Sequence, residues 1–367
     1  MNATRGMNER EKICLVIPSL NAGGMERVMN ELAHYFAQKK EIDLHLVLYG
    51  KNPSVFYSLP ENISLYKPNF IFNNRFRFWF TIKTLFFIRK QIRQINPETI
   101  LSFGEYWNSF VLLALLGLKY PVFISDRCQP DRRYSQLHTF LRKWLYPKAT
   151  GIIAQTNKAN EIFSVQFKHR NIKVIGNPIR KNNSETTAEK EKIILSVSRL
   201  IKTKHHDRLI KIFSKLNAPG WKLVIVGGNA LKQNNLSSLQ QQVIELNLNN
   251  RVVLTGESAD VAGWYRKSAL FAFTSSSEGF PNVIGEALSA GLPVVSYDCV
   301  AGPSEMITNG ENGFLVPVFD DKLFQEKLQL LINDAELRKN MGENALENIK
   351  KFSTEAIGAQ FLNFILK

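Results

Sequence analysis

The hydrophobic pattern of the chain alternates short apolar runs with longer stretches that are apolar every three or four residues. Runs bounded by turn residues predict buried strands, and the periodic stretches predict helices. The predicted strands are 12–20, 43–49, 99–103, 121–125, 151–155, 172–175, 193–197, 222–226, 251–255, 269–274 and 293–297. Because alternating strands and helices are typical of parallel sheets covered on both faces, the sequence predicts an α/β protein of the doubly wound kind.

A polar stretch, Arg180–Lys192, interrupts this alternation and predicts a linker. The strand and helix pattern resumes after it, and 367 residues is a usual length for two domains. The sequence therefore predicts two doubly wound domains that meet near residue 178.

The segment 275–286 follows a predicted buried strand and opens a predicted helix. Pro281 suits the first position of that helix, whose free N–H groups and positive dipole end favour a phosphate. Glu278 and Glu286 bracket the helix start, where carboxylates would repel phosphate but accept hydrogen bonds from hydroxyls. The combination predicts a nucleotide-sugar site, although a capped core helix with two surface glutamates would produce the same pattern.

Other loops at strand ends carry residues that suit a diphosphate ligand. Arg199 and Lys204 lie between a strand and a helix, where two cations could clamp a diphosphate, and Lys202 is interpreted as a solvated neighbour. Gly23 and Gly24 also precede a helix, so they form either a second phosphate cradle or a plain helix start. Gly227 ends a strand and could let a nucleotide base approach the backbone.

A loop with several arginines follows the strand 121–125 and contains Asp126 and Arg127. Glu105 and Asn108 follow the strand 99–103, and ligands bind at such strand ends in open α/β sheets. These four residues are the candidate acceptor-binding set, although an exposed basic loop would give the same sequence.

The net charge of +15 is concentrated in the first half, where residues 1–175 hold 25 Lys and Arg against 12 Asp and Glu. Residues 62–97 contain no acidic residue, and aromatic residues are interleaved among the cations Lys67, Arg75, Arg77, Lys83, Arg89, Lys90 and Arg93. A basic, aromatic, amphipathic segment is typical of membrane-surface elements, so 67–93 predicts contact with an anionic membrane. A core helix with a solvated basic face is the alternative; no nucleic-acid motif accompanies the segment, so no nucleic-acid partner is predicted.

The remaining polar chemistry gives no sign of a metal or a cofactor. Cys14, Cys128 and Cys299 match no metal-ligand spacing and indicate a reducing compartment. His205 and His206 are predicted to be surface residues. The chain contains no Asp-x-Asp, so the sequence predicts no metal and no cofactor, with a nucleotide sugar as co-substrate.

Taken together, these features resemble the retaining glycosyltransferases of family 4, which have the GT-B fold. The resemblance rests on Gly23-Gly24-Met25-Glu26-Arg27, Asn177-Pro178, Ser198-Arg199-Leu200 with Lys204, Glu278-x7-Glu286, Gly302-Pro303-Ser304-Glu305 and the stretch 309–317. It implies two Rossmann-like domains facing a cleft: 1–178 for the acceptor and 179–352 for the nucleotide sugar. It also implies that a closing helix, 353–367, packs back on the first domain.

The resemblance further implies a role for each matched residue. Arg199 and Lys204 would grip the diphosphate, Glu278 would touch the transferred sugar, and Glu286 would take the ribose hydroxyls. The remaining donor contacts would come from Gly23, Gly24, Gly227, Phe280, Pro281, Asn282 and Val283. Arg127 stands where many relatives carry a histidine, so its role is open, and an acceptor phosphate is one candidate ligand.

The function implied is retaining, metal-independent transfer from a nucleotide diphosphate sugar, with UDP favoured. The first half is most similar to bacterial members that act at the cytoplasmic membrane face, which predicts a lipid-linked or surface-polysaccharide acceptor and a peripheral membrane location. A GT-B sugar-nucleotide epimerase and a non-catalytic partner subunit of a transferase remain alternatives.

Overall fold

The computed structural model describes residues 10–51, 53–180, 190–230 and 233–366. These residues form two compact units, one up to Pro178 together with the chain from Thr354 onwards, and one over Ile179–Ser353. Most of the predicted linker, 181–189, and the polar start of the chain, 1–9, lie outside the described residues.

The first unit is built on a parallel sheet. Its strands are β1 (Glu11–Ile17), β2 (Ile42–Leu48), β3 (Ser64–Tyr66), β4 (Thr99–Phe103), β5 (Val122–Ser125), β6 (Gly151–Ala154) and β7 (Ile172–Val174). Its helices before the second unit are α1 (Gly24–Ala37), α2 (Arg77–Ile95), α3 (Glu105–Ala114), α4 (Gln136–Leu145) and α5 (Asn157–Phe167). The described strands lie in the order β3-β2-β1-β4-β5-β6-β7.

The helices of this unit cover both faces of the sheet. One buried apolar cluster joins the sheet to α2, α3, α4 and α5, through residues such as Ile92, Val111 and Phe163. Burial on both faces explains why the central strands are almost continuously apolar in the sequence.

The second unit repeats the same plan. Its strands are β8 (Ile193–Val197), β9 (Lys222–Val226), β10 (Val252–Gly256), β11 (Leu270–Phe273), β12 (Val294–Tyr297) and β13 (Gly313–Val316). Its helices are α6 (His206–Ser214), α7 (Asn235–Glu245), α8 (Val261–Lys267), α9 (Asn282–Ser289), α10 (Pro303–Met306), α11 (Asp321–Asn333) and α12 (Ala335–Asn348). The described strands lie in the order β10-β9-β8-β11-β12-β13.

The last helix, α13 (Thr354–Ile365), belongs to the first unit although it follows the second in sequence. It packs against α1 and β4. A Cβ at Gly358 would lie 2.3 Å from the ring of Tyr35, so the two helices approach closely there.

Each sheet reverses its strand order once, at β1/β4 in the first unit and at β8/β11 in the second. In the second unit the two strands pair in parallel through Ile194 with Leu270 and Leu195 with Phe271. The crevice outside the carboxyl ends at such a reversal is where open α/β sheets bind ligands. The loops after β8 and β11 are therefore the expected position of a ligand site.

The structure differs from the sequence-based expectation in three local respects. Neither β3 nor β13 was predicted. The three residues of β3 are partly or fully exposed, and β13 follows a turn whose glycines indicate a loop. Pro281 is the residue before α9 rather than its first residue, because its ψ of 83° is not helical.

Candidate functional site

The loops that follow β8 and β11 are joined by hydrogen bonds. The backbone N–H of Ser276 donates to the carbonyl of Thr203 at 2.9 Å, and the Thr274 hydroxyl donates to the carbonyl of Lys204 at 2.8 Å. These bonds hold the two loops together, so residues far apart in sequence form one surface at the carboxyl edge of the sheet.

Lys204 and Glu278 form an ion pair across these two loops. Both side chains are mostly buried, with 15% and 12% of their surfaces exposed. The Lys204 ammonium also lies over the ring of Phe273, 5.3 Å from its centre. Since partial burial reduces screening by water, this pair is held more firmly than an exposed one, and it presents a cation and an anion side by side.

The end of β9 supports the loop that carries Arg199. The N–H of Leu200 donates to the carbonyl of Gly228 at 2.9 Å. A Cβ at Gly227, whose φ is +153°, would lie 1.9 Å from the carbonyl oxygen of Ser198, so this close approach requires glycine. Arg199 itself is exposed, which leaves its guanidinium accessible at the crevice.

His206, the first residue of α6, is buried, so the prediction that it is a surface residue is wrong. Its imidazole Nε2 lies 2.9 Å from the hydroxyl of Ser198, next to Arg199. Burial, together with the nearby charge of Lys204, lowers the pKa of His206 to about 4. A neutral imidazole therefore holds the start of the Arg199 loop at physiological pH.

The start of α9 is fixed by a second loop. Pro281 offers no side-chain acceptor to the first-turn amides of the helix. A Cβ at Gly302, whose φ is +108°, would lie 2.1 Å from Cδ of Pro281, so the segment before α10 packs directly on this helix start. The close contact positions the positive end of α9 at the same edge as Lys204 and Glu278.

Glu286 lies on α9 and is held by Tyr265 of α8. The buried Tyr265 hydroxyl donates to Oε2 of Glu286 at 3.1 Å and lies 3.3 Å from the carbonyl oxygen of Val283. Sequence motifs do not identify this partner, because Tyr265 stands 21 residues before Glu286 and in no recognisable motif. Its hydroxyl orients the carboxylate that the sequence singled out.

The Gly23 and Gly24 loop of the first unit is held by a tyrosine that sequence reasoning also missed. The Gly23 N–H donates to the Tyr57 hydroxyl at 3.1 Å, and that hydroxyl donates to the Gly23 carbonyl at 3.0 Å. A Cβ at Gly23 would lie 2.3 Å from a carboxylate oxygen of Glu26. Burial raises the pKa of Glu26, so its carboxyl group is easier to protonate than an exposed one.

Asp126 and Asn108 lie in a buried polar network of the first unit. The Asn108 amide donates to Oδ1 of Asp126 at 3.0 Å, and the Tyr146 hydroxyl donates to the same oxygen at 2.6 Å. Arg142 forms a buried ion pair with the other carboxylate oxygen. In this arrangement Asp126 and Asn108 organise the loop after β5, and their direct contact with an acceptor stays a prediction.

Arg127 follows Asp126 and has a different environment. Its guanidinium lies over the ring of Phe103, 3.6 Å from the centre, and donates from Nη1 to the Asn177 side chain at 2.8 Å. Its Nε and Nη2 have no hydrogen-bond partner among the described residues. Burial lowers its pKa to about 9, against the opposing charge of Asp126, so it remains a cation at neutral pH.

The predicted site residues thus fall into two sets, one in each unit. The loops and helix start at the β8/β11 reversal bring together Arg199, Lys204, Gly227, Glu278, Phe280, Pro281, Asn282, Val283 and Glu286. The first unit carries Gly23, Gly24, Glu105, Asn108, Asp126 and Arg127. Glu105 is partly buried, with an oxygen 3.8 Å from Arg132.

The described residues contain neither a metal-binding cluster nor a membrane-spanning helix. No group of three or more His, Cys, Asp or Glu residues there is arranged to hold a metal ion. None of the described helices combines the length and the apolar character needed to cross a membrane.

Comparison with known proteins places these features in one family. Residues 179–348 match the family model of glycosyl transferases group 1, and residues 22–182 match that of Glycosyltransferase Family 4. The structure of Anabaena Alr3699/HepE in complex with UDP superposes with a TM-score of 0.80 at 20% identity, over 96% of this chain and 98% of that one. That likeness supports the GT-B fold, with two Rossmann-like units of parallel sheets.

Two curated relatives extend over nearly the whole chain. The Campylobacter jejuni N-acetylgalactosamine-N,N'-diacetylbacillosaminyl-diphospho-undecaprenol 4-alpha-N-acetylgalactosaminyltransferase is 30% identical over 97% of this chain and its own full length. The Erwinia amylovora amylovoran biosynthesis glycosyltransferase AmsD is 27% identical over 94% of this chain and 97% of its own. The chain therefore belongs to glycosyltransferase family 4 and is a glycosyltransferase.

Proposed function

We propose that this enzyme moves a sugar from a UDP-sugar to a hydroxyl of a lipid-linked or surface-polysaccharide glycan, with retention of configuration. The observation that carries the proposal is the β8/β11 crevice, where an exposed arginine, a Lys204–Glu278 pair, a helix N-terminus and Glu286 converge. The named relatives act on diphospho-undecaprenol-linked sugars and in amylovoran biosynthesis, and the HepE structure contains UDP.

The donor binds through complementary charges in this proposal. Arg199, Lys204 and the N-terminus of α9 hold the diphosphate, because cations and helix amides both stabilise phosphate oxygens. Glu286, oriented by Tyr265, accepts hydrogen bonds from the ribose hydroxyls. Glu278 accepts a hydrogen bond from a hydroxyl of the transferred sugar, while the ion pair keeps it beside Lys204.

Transfer then requires stabilisation of a leaving diphosphate. As the bond between the anomeric carbon and the phosphate oxygen breaks, negative charge grows on that oxygen, and the cations of the crevice stabilise it. The acceptor hydroxyl attacks from the same face and passes its proton to the departing phosphate oxygen. Glu278 and Glu286 act as hydroxyl acceptors here, and not as the acid and base pair of a glycoside hydrolase.

The first unit supplies the acceptor side of the proposal. Arg127 is the strongest candidate there, because it remains charged and its buried Nε and Nη2 have no partner among the described residues. A phosphate of the acceptor would pair with those donors once the side chain turns away from the ring of Phe103. Glu105 would accept from a sugar hydroxyl, and the Gly23 and Gly24 backbone would approach the donor.

Contact with an anionic membrane through 67–93 completes the proposed function. Phe78, Trp79 and Phe86 of α2 expose 70%, 63% and 66% of their surfaces, and Arg77 and Lys83 stand close to them in the sequence. Exposed aromatics beside lysine and arginine suit the boundary between lipid headgroups and acyl chains. The enzyme would then work as a peripheral protein on the cytoplasmic face of the membrane.

The donor class can be tested by thermal unfolding with UDP, GDP, ADP and their sugars. A ligand that binds only the folded state stabilises it by about 2.7 kcal/mol at 100 times its dissociation constant, so the true nucleotide should raise the unfolding temperature clearly. We expect the rise with UDP compounds. A rise with GDP or ADP compounds alone would refute the UDP assignment, and no rise with any nucleotide would favour a non-catalytic subunit.

The charge argument predicts the effect of replacing the two cations. Arg199→Gln and Lys204→Gln should each lower kcat by about a hundredfold, since removing one group that stabilises transition-state charge has roughly that effect. Lys202→Gln, an exposed neighbour on the same loop, is the matched control and should keep kcat within about threefold of the wild type. Near-wild-type turnover in both Arg199 and Lys204 variants would contradict the mechanism.

A further inference from the structure

A groove with a volume of about 620 Å³ lies in the first unit. It runs between α2 and the segment 67–70 that precedes this helix. It is lined by Lys67, Asn69, Phe70, Lys83, Phe86, Phe87, Lys90 and Gln91, and we call it the lysine groove. The donor and acceptor roles proposed above use none of these residues.

The α2 wall of the lysine groove follows from helical spacing. Lys83, Phe86, Phe87 and Lys90 stand at positions i, i+3, i+4 and i+7, which share one face of a helix. The phenylalanines form an apolar strip with a lysine at each end. Phe86 is two-thirds exposed, so this strip is open to a ligand.

The opposite wall is held in place by aromatic packing. The ring of Phe70 lies 5.9 Å from that of Phe80 on α2, and the ring of Phe72 lies 5.6 Å from the same residue. These contacts fix the segment that carries Lys67 alongside the helix. The groove is therefore formed by two elements that pack against each other through these rings.

The lysine groove concentrates positive charge. Its three lysines are exposed, no carboxylate lines it, and no carboxylate among the described residues forms an ion pair with them. By contrast, Arg89 of the same helix is used structurally and donates to the carbonyls of Ala114 and Leu116 at 3.0 and 2.9 Å. The three ammonium groups are thus available for an anionic ligand, with two side-chain amides as neutral donors.

We propose that the lysine groove binds the headgroup of one anionic membrane phospholipid. Lys67, Lys83 and Lys90 surround the phosphate, and the phenylalanine strip covers the first carbons of the lipid. A free phosphate would leave the strip unused, whereas an amphiphile uses both. This inference rests on the proposed membrane contact and narrows it from a diffuse electrostatic attraction to a discrete site.

A monomeric short-chain lipid tests the groove without a bilayer. Dihexanoyl phosphatidylglycerol, kept below its micelle concentration at 0.15 M salt (roughly physiological), should bind with one-to-one stoichiometry by calorimetry. Two comparison ligands should each bind at least about tenfold more weakly. Dihexanoyl phosphatidylcholine has no net charge, and inorganic phosphate has no acyl chain to contact the phenylalanines. Equal binding of inorganic phosphate would overturn the lipid assignment.

Two charge-matched triple variants distinguish the groove from general attraction. Lys67→Gln with Lys83→Gln and Lys90→Gln should weaken the anionic lipid by about tenfold or more, since direct contacts are lost. Arg75→Gln with Arg77→Gln and Arg93→Gln removes the same charge from exposed positions outside the groove, and affinity should stay within about threefold because salt screens distant charges. Equal losses in both variants would refute a discrete site.

A third variant and a separate readout complete the test. Phe86→Ser should weaken the lipid by several-fold and leave the response to inorganic phosphate unchanged, because it removes only the apolar contact. The rise in unfolding temperature with UDP, measured on the same proteins, reports the donor crevice independently. A variant that loses lipid binding but keeps the rise with UDP has lost only the groove. If the wild type shows no rise with UDP, the donor assignment fails, whatever the lipid result.

Discussion

At the scale of single residues, the neighbours decide what a carboxylate can do. Glu278 is paired with Lys204 and Glu286 is held by Tyr265, so both stand oriented at the carboxyl edge of the second sheet. Asp126 is surrounded by donors inside the first unit. The same chemical group is therefore suited to binding hydroxyls in the first two cases and to organising a loop in the third.

His206 gives a prediction at this scale. Burial lowers its pKa from 6.5 to about 4, so between these values the unfolded chain binds a proton that the folded chain does not. Its contribution to stability is complete above pH 6.5 and is lost as the pH falls towards 4. From pH 7 to pH 5 the loss should be about 2 kcal/mol.

The measurement is denaturant unfolding of the wild type and His206→Gln at both pH values. The variant should lose about 2 kcal/mol less than the wild type over this interval, because glutamine does not titrate. The same loss in both proteins would show that another group is responsible for the acid sensitivity.

At the scale of elements, the site is made by loops that strands deliver to one edge. The start of α9 is positioned by Gly302, and the Arg199 loop is positioned by Gly227. Both glycines are needed for close backbone approach and for positive φ. The accuracy of the crevice thus depends on two glycines as well as on its charged side chains.

Gly302→Ala tests this dependence. A Cβ there would lie 2.1 Å from Pro281, so the start of α9 must shift, and overpacking of this kind costs about 1–3 kcal/mol in unfolding free energy. The UDP-induced rise in unfolding temperature should also shrink, because the helix N-terminus moves. Thermal and denaturant unfolding with and without UDP provide both values.

Gly310→Ala is the matched control. Gly310 also has a positive φ, of 85°, but a Cβ there would meet nothing within 4 Å. Both variants incur the cost of a positive φ, about 1–3 kcal/mol, so the UDP response, which only Gly302→Ala should lose, is the readout of the contact with Pro281. Equal stability and equal UDP response in the two variants would contradict the role given to Gly302.

At the scale of the whole molecule, the chain leaves its first unit, builds the second, and returns with α13. Phe361 of this helix is fully buried, and its ring lies 6.1 Å from that of Phe103 on β4. The end of the chain is therefore part of the core of the first unit. Stability of that unit depends on residues synthesised after the second unit.

Phe361→Ala should destabilise the first unit by about 3–5 kcal/mol, the usual cost of removing a buried aromatic side chain. Amide hydrogen exchange should accelerate most in β4 and α1, which contact α13. Asn363→Ala, at an exposed position of the same helix, should change exchange little. Acceleration confined to the second unit would contradict this account.

Much of the fold could be predicted because buried parallel strands are apolar on both faces. The strands β4, β8 and β9 begin and end where the apolar runs do. The short β3 escaped because three partly exposed residues leave no apolar run, and β13 because its glycines indicate a turn. The alternation of strands and helices predicts two doubly wound units, and the motifs indicate family 4 of the glycosyltransferases.

The candidate site could be predicted only in part, because sequence spacing reveals neighbours along the chain and not across a sheet. The motifs marked Glu278, Glu286, Arg199 and Lys204, but nothing in them identifies Tyr265 as a partner. The burial of His206 was equally hidden, since a histidine at a helix start can face solvent or the sheet.

The sequence by itself determined the α/β class, the loops with phosphate-binding chemistry and the basic aromatic segment, because these depend on local pattern. Only the tertiary structure decided that β8 lies beside β11, which brings Lys204 to Glu278 although 74 residues separate them. It also decided that Lys67 lies opposite Lys83 and Lys90 across one groove. Strand order and helix packing are set by the burial of apolar surfaces that come from distant parts of the chain. No short window of sequence contains that information.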